Sequence, residues 1–167
     1  MAVEFEPMMG RYFTLNIGGD ACRIYMEESG SGIPLLCLHT AGSDSRQFRH
    51  ILSDPDITSR FRVIAFDLPW HGKSNPPKGF RGSDYKLTVD GYKRIITDVC
   101  FALDLQSPVV MGCSMGGRIV CHLALENPAY FRAMIALEGA DKLKPYYKSD
   151  FTKKSALFKA NRTYFIK

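Results

Sequence analysis

Two patterns of apolar residues alternate along the chain. Arg11–Ile17 and Cys22–Glu27 read as strands joined by Gly18-Gly19-Asp20, a hairpin turn whose glycines tolerate the reversed backbone. A second turn, Ser29-Gly30-Ser31-Gly32, leads into Ile33-Pro34-Leu35-Leu36-Cys37-Leu38. That run is apolar on both faces, as a strand in the middle of a parallel sheet must be. Asp44–Asp54 predicts a helix, with Phe48, Ile51 and Leu52 at the spacing of a buried face and His50 turned to solvent. Arg62–Phe66 is the next buried strand, and the proline- and glycine-containing Asn75–Tyr85 is a loop. Thr88 caps an amphipathic helix over Thr88–Leu103, whose core stripe is Val89, Tyr92, Ile95, Ile96, Val99 and Leu103. Pro108–Met111 predicts a strand, Met115–Asn127 a helix stopped by Asn127-Pro128, and Phe131–Leu137 a further strand.

Strands and helices that alternate after a hairpin predict an α/β fold with a doubly wound, mostly parallel sheet. Composition agrees: 167 residues, 46% of them hydrophobic, suffice for one domain with a real core. Charge divides the chain in two. Residues 1–141 hold 14 Lys/Arg against 16 Asp/Glu, whereas residues 142–167 hold 8 Lys/Arg and only Asp150. The net charge of +5 therefore comes from a basic tail of unlike composition, so no nucleic-acid-binding face is expected on the 1–141 core. No run of 18 apolar residues spans a membrane, and the N-terminus lacks a basic-then-apolar leader pattern, so a cytoplasmic location is expected. Five cysteines without CxxC spacing (Cys22, Cys37, Cys100, Cys113, Cys121) read as buried thiols. No metal-ligand cluster, phosphate loop or dinucleotide fingerprint occurs, so neither metal nor cofactor is expected.

Three loops carry the candidate chemistry. In Val109-Val110-Met111-Gly112-Cys113-Ser114-Met115-Gly116-Gly117, an apolar run ends in Gly-x-Ser-x-Gly and a helix follows at once. A turn that sharp leaves no room for Cβ atoms at Gly112 and Gly116, and Gly117 lets the helix begin close to its neighbours. Ser114 would stand in a strained conformation beside the positive end of that helix. The strand Ile33–Leu38 opens into His39-Thr40-Ala41-Gly42-Ser43, and Arg62–Phe66 ends in Asp67-Leu68-Pro69-Trp70-His71-Gly72-Lys73-Ser74.

These three loops, in this order, resemble the α/β-hydrolase family over roughly residues 11–141. The resemblance implies Ser114 as nucleophile. It implies an oxyanion hole made by the amides of Met115 and Ala41, with Thr40, which replaces a usual glycine, as the neighbouring alternative. It makes Asp67 and His71 structural, and His39 structural within its own loop. Trp70, the sole tryptophan, either lines a substrate pocket or plugs its turn. A dehalogenase or epoxide hydrolase is disfavoured, since those carry an aspartate where Ser114 stands.

A serine hydroxyl needs a histidine to take its proton, and the family order is Ser, then Asp or Glu, then His. After Ser114 the only histidine is His122, eight residues along the same helix and two turns away. Glu138 and Asp141 occupy the place where a minority of the family carries its acid. The family's cap, last strands and last helix have no counterpart in residues 142–167. The chain thus reads as the front part of a larger hydrolase, or as half of an assembly in which a second chain completes the sheet. Arg162–Ile166 is the tail segment suited to cover the open edge. The activity implied is a serine carboxylesterase acting on a small ester, thioester or lactone, with little turnover by this chain alone. C–C bond hydrolysis, acyl transfer and perhydrolysis stay open. The other reading is a non-catalytic, truncated fold that binds a small ligand or a partner chain.

Overall fold

The computed structural model describes residues 3–76 and 87–139. In chain order these form β1 (Met9–Ile17), β2 (Asp20–Ser29), β3 (Ile33–Leu38), a 3-10 turn (Ser45–Phe48), α1 (Arg49–Ser53) and α2 (Pro55–Thr58). β4 (Phe61–Phe66), α3 (Val89–Ala102), β5 (Val109–Cys113), α4 (Met115–Glu126) and β6 (Ala133–Leu137) complete the order. One six-stranded sheet runs β1-β2-β4-β3-β5-β6. The hairpin and the β2–β4 pair are antiparallel, while β4, β3, β5 and β6 are mutually parallel neighbours. The α/β class and the mostly parallel sheet expected from the sequence are what forms. Residues 77–85 of the predicted loop, Asp141, the basic tail and Arg162–Ile166 within it lie outside the described residues.

Alternation along the central strands explains why they are apolar throughout. Leu36 and Leu38 of β3, Ile64 and Phe66 of β4, and Val110 of β5 face α3 and α4, where they meet Ile96, Val99, Ile119 and Leu123. Their neighbours Leu35, Cys37, Val63, Ala65, Val109 and Met111 point the other way, onto Phe48 and Leu52. Each strand thus supplies two cores at once. Burying one such aliphatic side chain stabilises the fold by about 1.5–3 kcal/mol.

The helix predicted over Asp44–Asp54 is broken into pieces. Asp44 caps the 3-10 turn by accepting from the Arg46 amide, and Asp54 is extended (φ −81°, ψ 113°) because Pro55 follows it. Asp54 then caps α2, a short helix that the apolar pattern alone did not reveal. β2 extends past its predicted end because it has two partners. Its N-terminal part pairs only with β1, and Met26–Ser29 also pairs with Phe66–Val63 of β4.

Four of the five cysteines are buried and Cys113 is half-buried; all are free thiols. Burial pushes the Cys100 thiol up to about 12 and raises Cys37 further. At pH 8 a disulfide reagent is expected to titrate one thiol, Cys113, in the native protein and all five in urea. Two native thiols reacting at equal rates would contradict this packing. Replacing the fully buried Ile64 by Ala is expected to lower unfolding free energy by about 2–5 kcal/mol. Phe101→Ala, at a site 87% exposed, is expected to change it by less than about 0.5 kcal/mol. Urea titration of both variants checks the contrast.

Candidate active site

β3, β4 and β5 end level, because Cys37 pairs with both Ala65 and Met111. The three candidate loops therefore leave the sheet together at its carboxyl edge, where open α/β sheets carry their ligands. Neighbouring strands are about 4.8 Å apart, so the loops after β4 and β5 are separated by roughly 10 Å with the β3 loop between them.

Ser114 links β5 to α4 with φ 52°, ψ −107°. A non-glycine residue held so costs on the order of 1–3 kcal/mol and persists only where its surroundings over-determine it. Here they do. The Ser114 N–H donates to Leu137 O at 2.8 Å, and its carbonyl accepts from the Arg118 amide at 2.8 Å. A Cβ on Gly112 would lie 2.3 Å from the Gly116 backbone, and one on Gly116 2.3 Å from Leu38 O. The first turn of α4 thus rests directly on the end of β3. The Ser114 hydroxyl caps no amide of the helix and is half-buried. Met115, first residue of α4, carries an N–H that has no partner within the helix.

Across from it is the β3 loop, closed by the Ser43 amide donating to Thr40 O at 3.2 Å. The Thr40 amide is already engaged, donating to Gln47 Oε1 at 2.9 Å. Among the described residues the Ala41 amide has no acceptor, so it is available as a donor. Sequence reasoning did not single out Gln47. Its role arises from the fold, which brings the start of the 3-10 turn back beside the strand end.

The two histidines and the aspartate of these loops hold the loops to one another. His39 is 1% exposed; its Nδ1–H donates to Thr40 O at 2.8 Å and its Nε2 accepts from the Leu68 amide at 3.1 Å. That pattern requires the neutral ring, and burial lowers the His39 pKa below its ordinary value. The His71 ring lies 5.0 Å from that of His39, and its Nδ1–H donates to Pro69 O at 3.0 Å. Asp67, 1% exposed, accepts from the Ser45 and Lys73 amides, each at 2.7 Å. Ser74 Oγ donates to Asp67 O at 2.7 Å and accepts from the Tyr25 amide at 2.9 Å. Lys73 Nζ adds a bond to Tyr25 Oη at 3.0 Å, and Tyr25 Oη donates to Glu27 Oε1 at 3.0 Å. These ties from the β4 loop to β2 had no signature in the sequence, since they join residues nearly fifty positions apart.

Inside that stapled turn Trp70 is left-handed (φ 70°) and 41% exposed. The conformation costs a bulky side chain on the order of 1–2 kcal/mol.

On the far side of Ser114, Glu138 ends β6. Because Cys113 pairs with Leu137, Ser114 and Glu138 step off the sheet side by side, with nearly equal φ of 52° and 51°. Glu138 is exposed. His122 lies two turns along α4 and is close enough to α3 to help hold the Asp90 carboxyl low, behind the stronger effect of Lys93. The other candidate acid, Asp141, is not among the described residues. Among those residues no cluster of His, Cys, Asp and Glu is suited to a metal ion, and no helix is long and apolar enough to cross a membrane.

A sequence profile of the alpha/beta hydrolase fold matches residues 33–163. The chain belongs to the α/β-hydrolase family. Among its relatives, the AB hydrolase superfamily protein YisY of Bacillus subtilis is 30% identical over 149 residues, 83% of this chain and 53% of YisY. A putative non-heme haloperoxidase of Mycobacterium phage D29 is 30% identical over 122 residues, 72% of this chain and 41% of the relative. Among solved structures, the N-acyl homoserine lactonase AidH complexed with N-butanoyl homoserine superposes with a TM-score of 0.64 at 32% identity. That match covers 78% of this chain and 45% of AidH. The chain spans about half the length of the hydrolases it matches.

The buried, neutral His39 makes the stability of this fold depend on pH in a defined direction. Its folded pKa lies below the unfolded value of about 6.5, so the unfolded state binds more protons as the solution is acidified. The contribution is complete above about pH 7 and is lost as pH falls below about 6.5. Asp44, held low mainly by Arg46, contributes in a separate window below about pH 4. Urea unfolding at pH 7.5 and 5.5 is expected to show a drop that shrinks in His39→Gln. An equal drop in both proteins would mean that His39 is not the group responsible.

Proposed function

We propose that Ser114 is the nucleophile of a serine hydrolase that acts on small carboxylic esters, thioesters or lactones. The observation that carries this reading is the strained Ser114 between β5 and α4, beside the available amides of Met115 and Ala41. Ser114 Oγ attacks the carbonyl carbon as its proton passes to a base. The carbonyl oxygen becomes an anion held by the two amides, each worth on the order of 3 kcal/mol when aimed at the transition state. Collapse expels the alcohol, thiol or ring oxygen with a proton and leaves an acyl group on Ser114. Water then attacks that ester by the same route, releasing the acid and the free serine.

We assign the proton-accepting histidine to sequence not present in this chain, since all four of its histidines are accounted for above, and the orienting acid to Asp141, to Glu138 or to that same missing sequence. Glu138 adjoins Ser114 but is exposed, and His122 is on the wrong turn of α4. The 32% identity to a lactonase that holds N-butanoyl homoserine favours a small acyl group. This chain alone is expected to turn over slowly, because an unassisted serine hydroxyl is a poor nucleophile near neutral pH.

One observation favours the non-catalytic reading: the Ser114 hydroxyl has no hydrogen-bond partner among the described residues. Intact-mass analysis after treatment with a fluorophosphonate separates the two. The hydrolase reading expects one adduct, mapped to Ser114 and absent in Ser114→Ala, with p-nitrophenyl butyrate turnover lost in the same variant. A wild-type protein that stays unlabelled and inactive would leave the binding role in its place.

A further inference from the structure

The amino edge of the sheet carries a cavity of about 230 Å³ that the active-site reading does not use. Its wall comes from the segment before β1, the end of β2, α1 and α2. Ser29 of β2 pairs with Val63, which is level in the sheet with Leu35 and Val109. Ser114 is five residues beyond Val109 and three strands across, about 20 Å away. The cavity is a separate place in the fold.

One polar group in this wall has no role within the fold. Ser29 is 4% exposed, and its Oγ is buried without a hydrogen-bond partner. Paired residues of neighbouring strands share a face of the sheet. Val63 faces Phe48 and Leu52, so the Ser29 side chain is on the side of α1 and α2. A buried hydroxyl is normally bonded, because burial removes its water and an unmade bond returns nothing. The other polar side chains of the wall narrow what can bond there. The Ser53 hydroxyl donates to Arg49 O at 3.0 Å and the Thr58 hydroxyl to Asp54 O at 2.9 Å, which leaves both oxygens with lone pairs to offer. Glu6 adds a carboxylate that has no ion-pair partner among the described residues. No lysine, arginine or histidine lines the cavity, and Met8, Leu52 and Pro55 give it apolar walls.

We propose that this cavity binds a small organic ammonium ion. Its N–H groups are shared among Ser29 Oγ, the Glu6 carboxylate and the Ser53 and Thr58 oxygens, and its hydrocarbon part rests on Met8, Leu52 and Pro55. A primary ammonium is all donor and no acceptor, the complement of such a wall. At ~30 Å³ for each water-sized atom, the volume admits about eight non-hydrogen atoms. The site does not involve Ser114, so neither assignment stands or falls with the other.

Benzylammonium chloride, a probe of that size, is titrated into the whole chain and followed by amide NMR shifts, with benzyl alcohol and phenylacetate as the neutral and anionic counterparts. Saturable shifts are expected at Ser29, Leu52 and Thr58, with benzyl alcohol about tenfold weaker and phenylacetate without effect. Ser29→Ala is expected to weaken benzylammonium about tenfold and to leave urea stability unchanged or raised, since it removes an unpaired hydroxyl. Glu6→Gln, at an exposed site, is expected to weaken it about threefold. Should Ser29→Ala not fold, Glu6→Gln and the comparison with the alcohol still decide. Absence of saturable shifts, equal binding of ammonium and alcohol, affinity unchanged in Ser29→Ala, or shifts centred on Ala41 and Met115 would each overturn the proposal. Nα-acetyl-lysinamide is expected to bind more weakly than benzylammonium. If it binds more tightly, the site takes a lysine side chain of another chain, and the assignment to a free amine is overturned.

Discussion

The arrangement at the carboxyl edge depends on one close approach, the backbone of Gly116 against the carbonyl of Leu38. With any Cβ there, α4 would stand off from β3, and the Met115 amide would move away from the β3 loop. The contact sets the distance between the two candidate oxyanion donors, and it also forces the reversal that gives Ser114 its φ of 52°. Strain at Ser114 is thus a consequence of packing a helix end directly onto a strand end. The bond from Ser114 N–H to Leu137 O extends the constraint to β6, so the strands from β3 to β6 share in holding one residue.

The other side of the site is rigid for a different reason. There the backbone is kept in place by buried polar groups, each with its bonds made: His39 between two loops, Asp67 between two amides, Ser74 between β2 and the β4 loop. A buried polar group left unsatisfied costs about 1–3 kcal/mol, so each tie resists opening as well as favouring closure. Glu28, joined to Arg11 at 3.2 Å and Arg62 at 2.8 Å, fastens β1, β2 and β4 in the same manner away from the edge. Half of the site is set by steric exclusion and half by hydrogen bonds.

These ties also explain why titratable side chains so close to the candidate nucleophile are not themselves offered to a substrate. A histidine whose two nitrogens are both engaged has no free lone pair to take a proton. An aspartate with backbone amides on each oxygen is an anchor. In these loops position and partners, more than residue type, make the histidines and the aspartate structural.

The fold class was legible in the sequence because burial on two faces leaves its mark on every central strand. β3, β4 and β5 are apolar at consecutive positions, and the elements between them keep helical spacing. The sharp turn from β5 into α4 was legible too, since only glycine satisfies the steric demand at positions 112 and 116. The end of α1 at Asp54-Pro55 and the helix after it follow a local capping rule that the apolar pattern does not display. Other features were decided by tertiary structure alone. The occupation of the Thr40 amide turned on Gln47, whose side chain reaches back seven residues once the chain has folded. The exposure of Trp70 was not readable from its motif, which is compatible with a buried or a presented indole. Local sequence specifies backbone conformation and which faces are apolar. Which amide stays unoccupied, and which ring faces solvent, depends on groups brought together from distant parts of the chain.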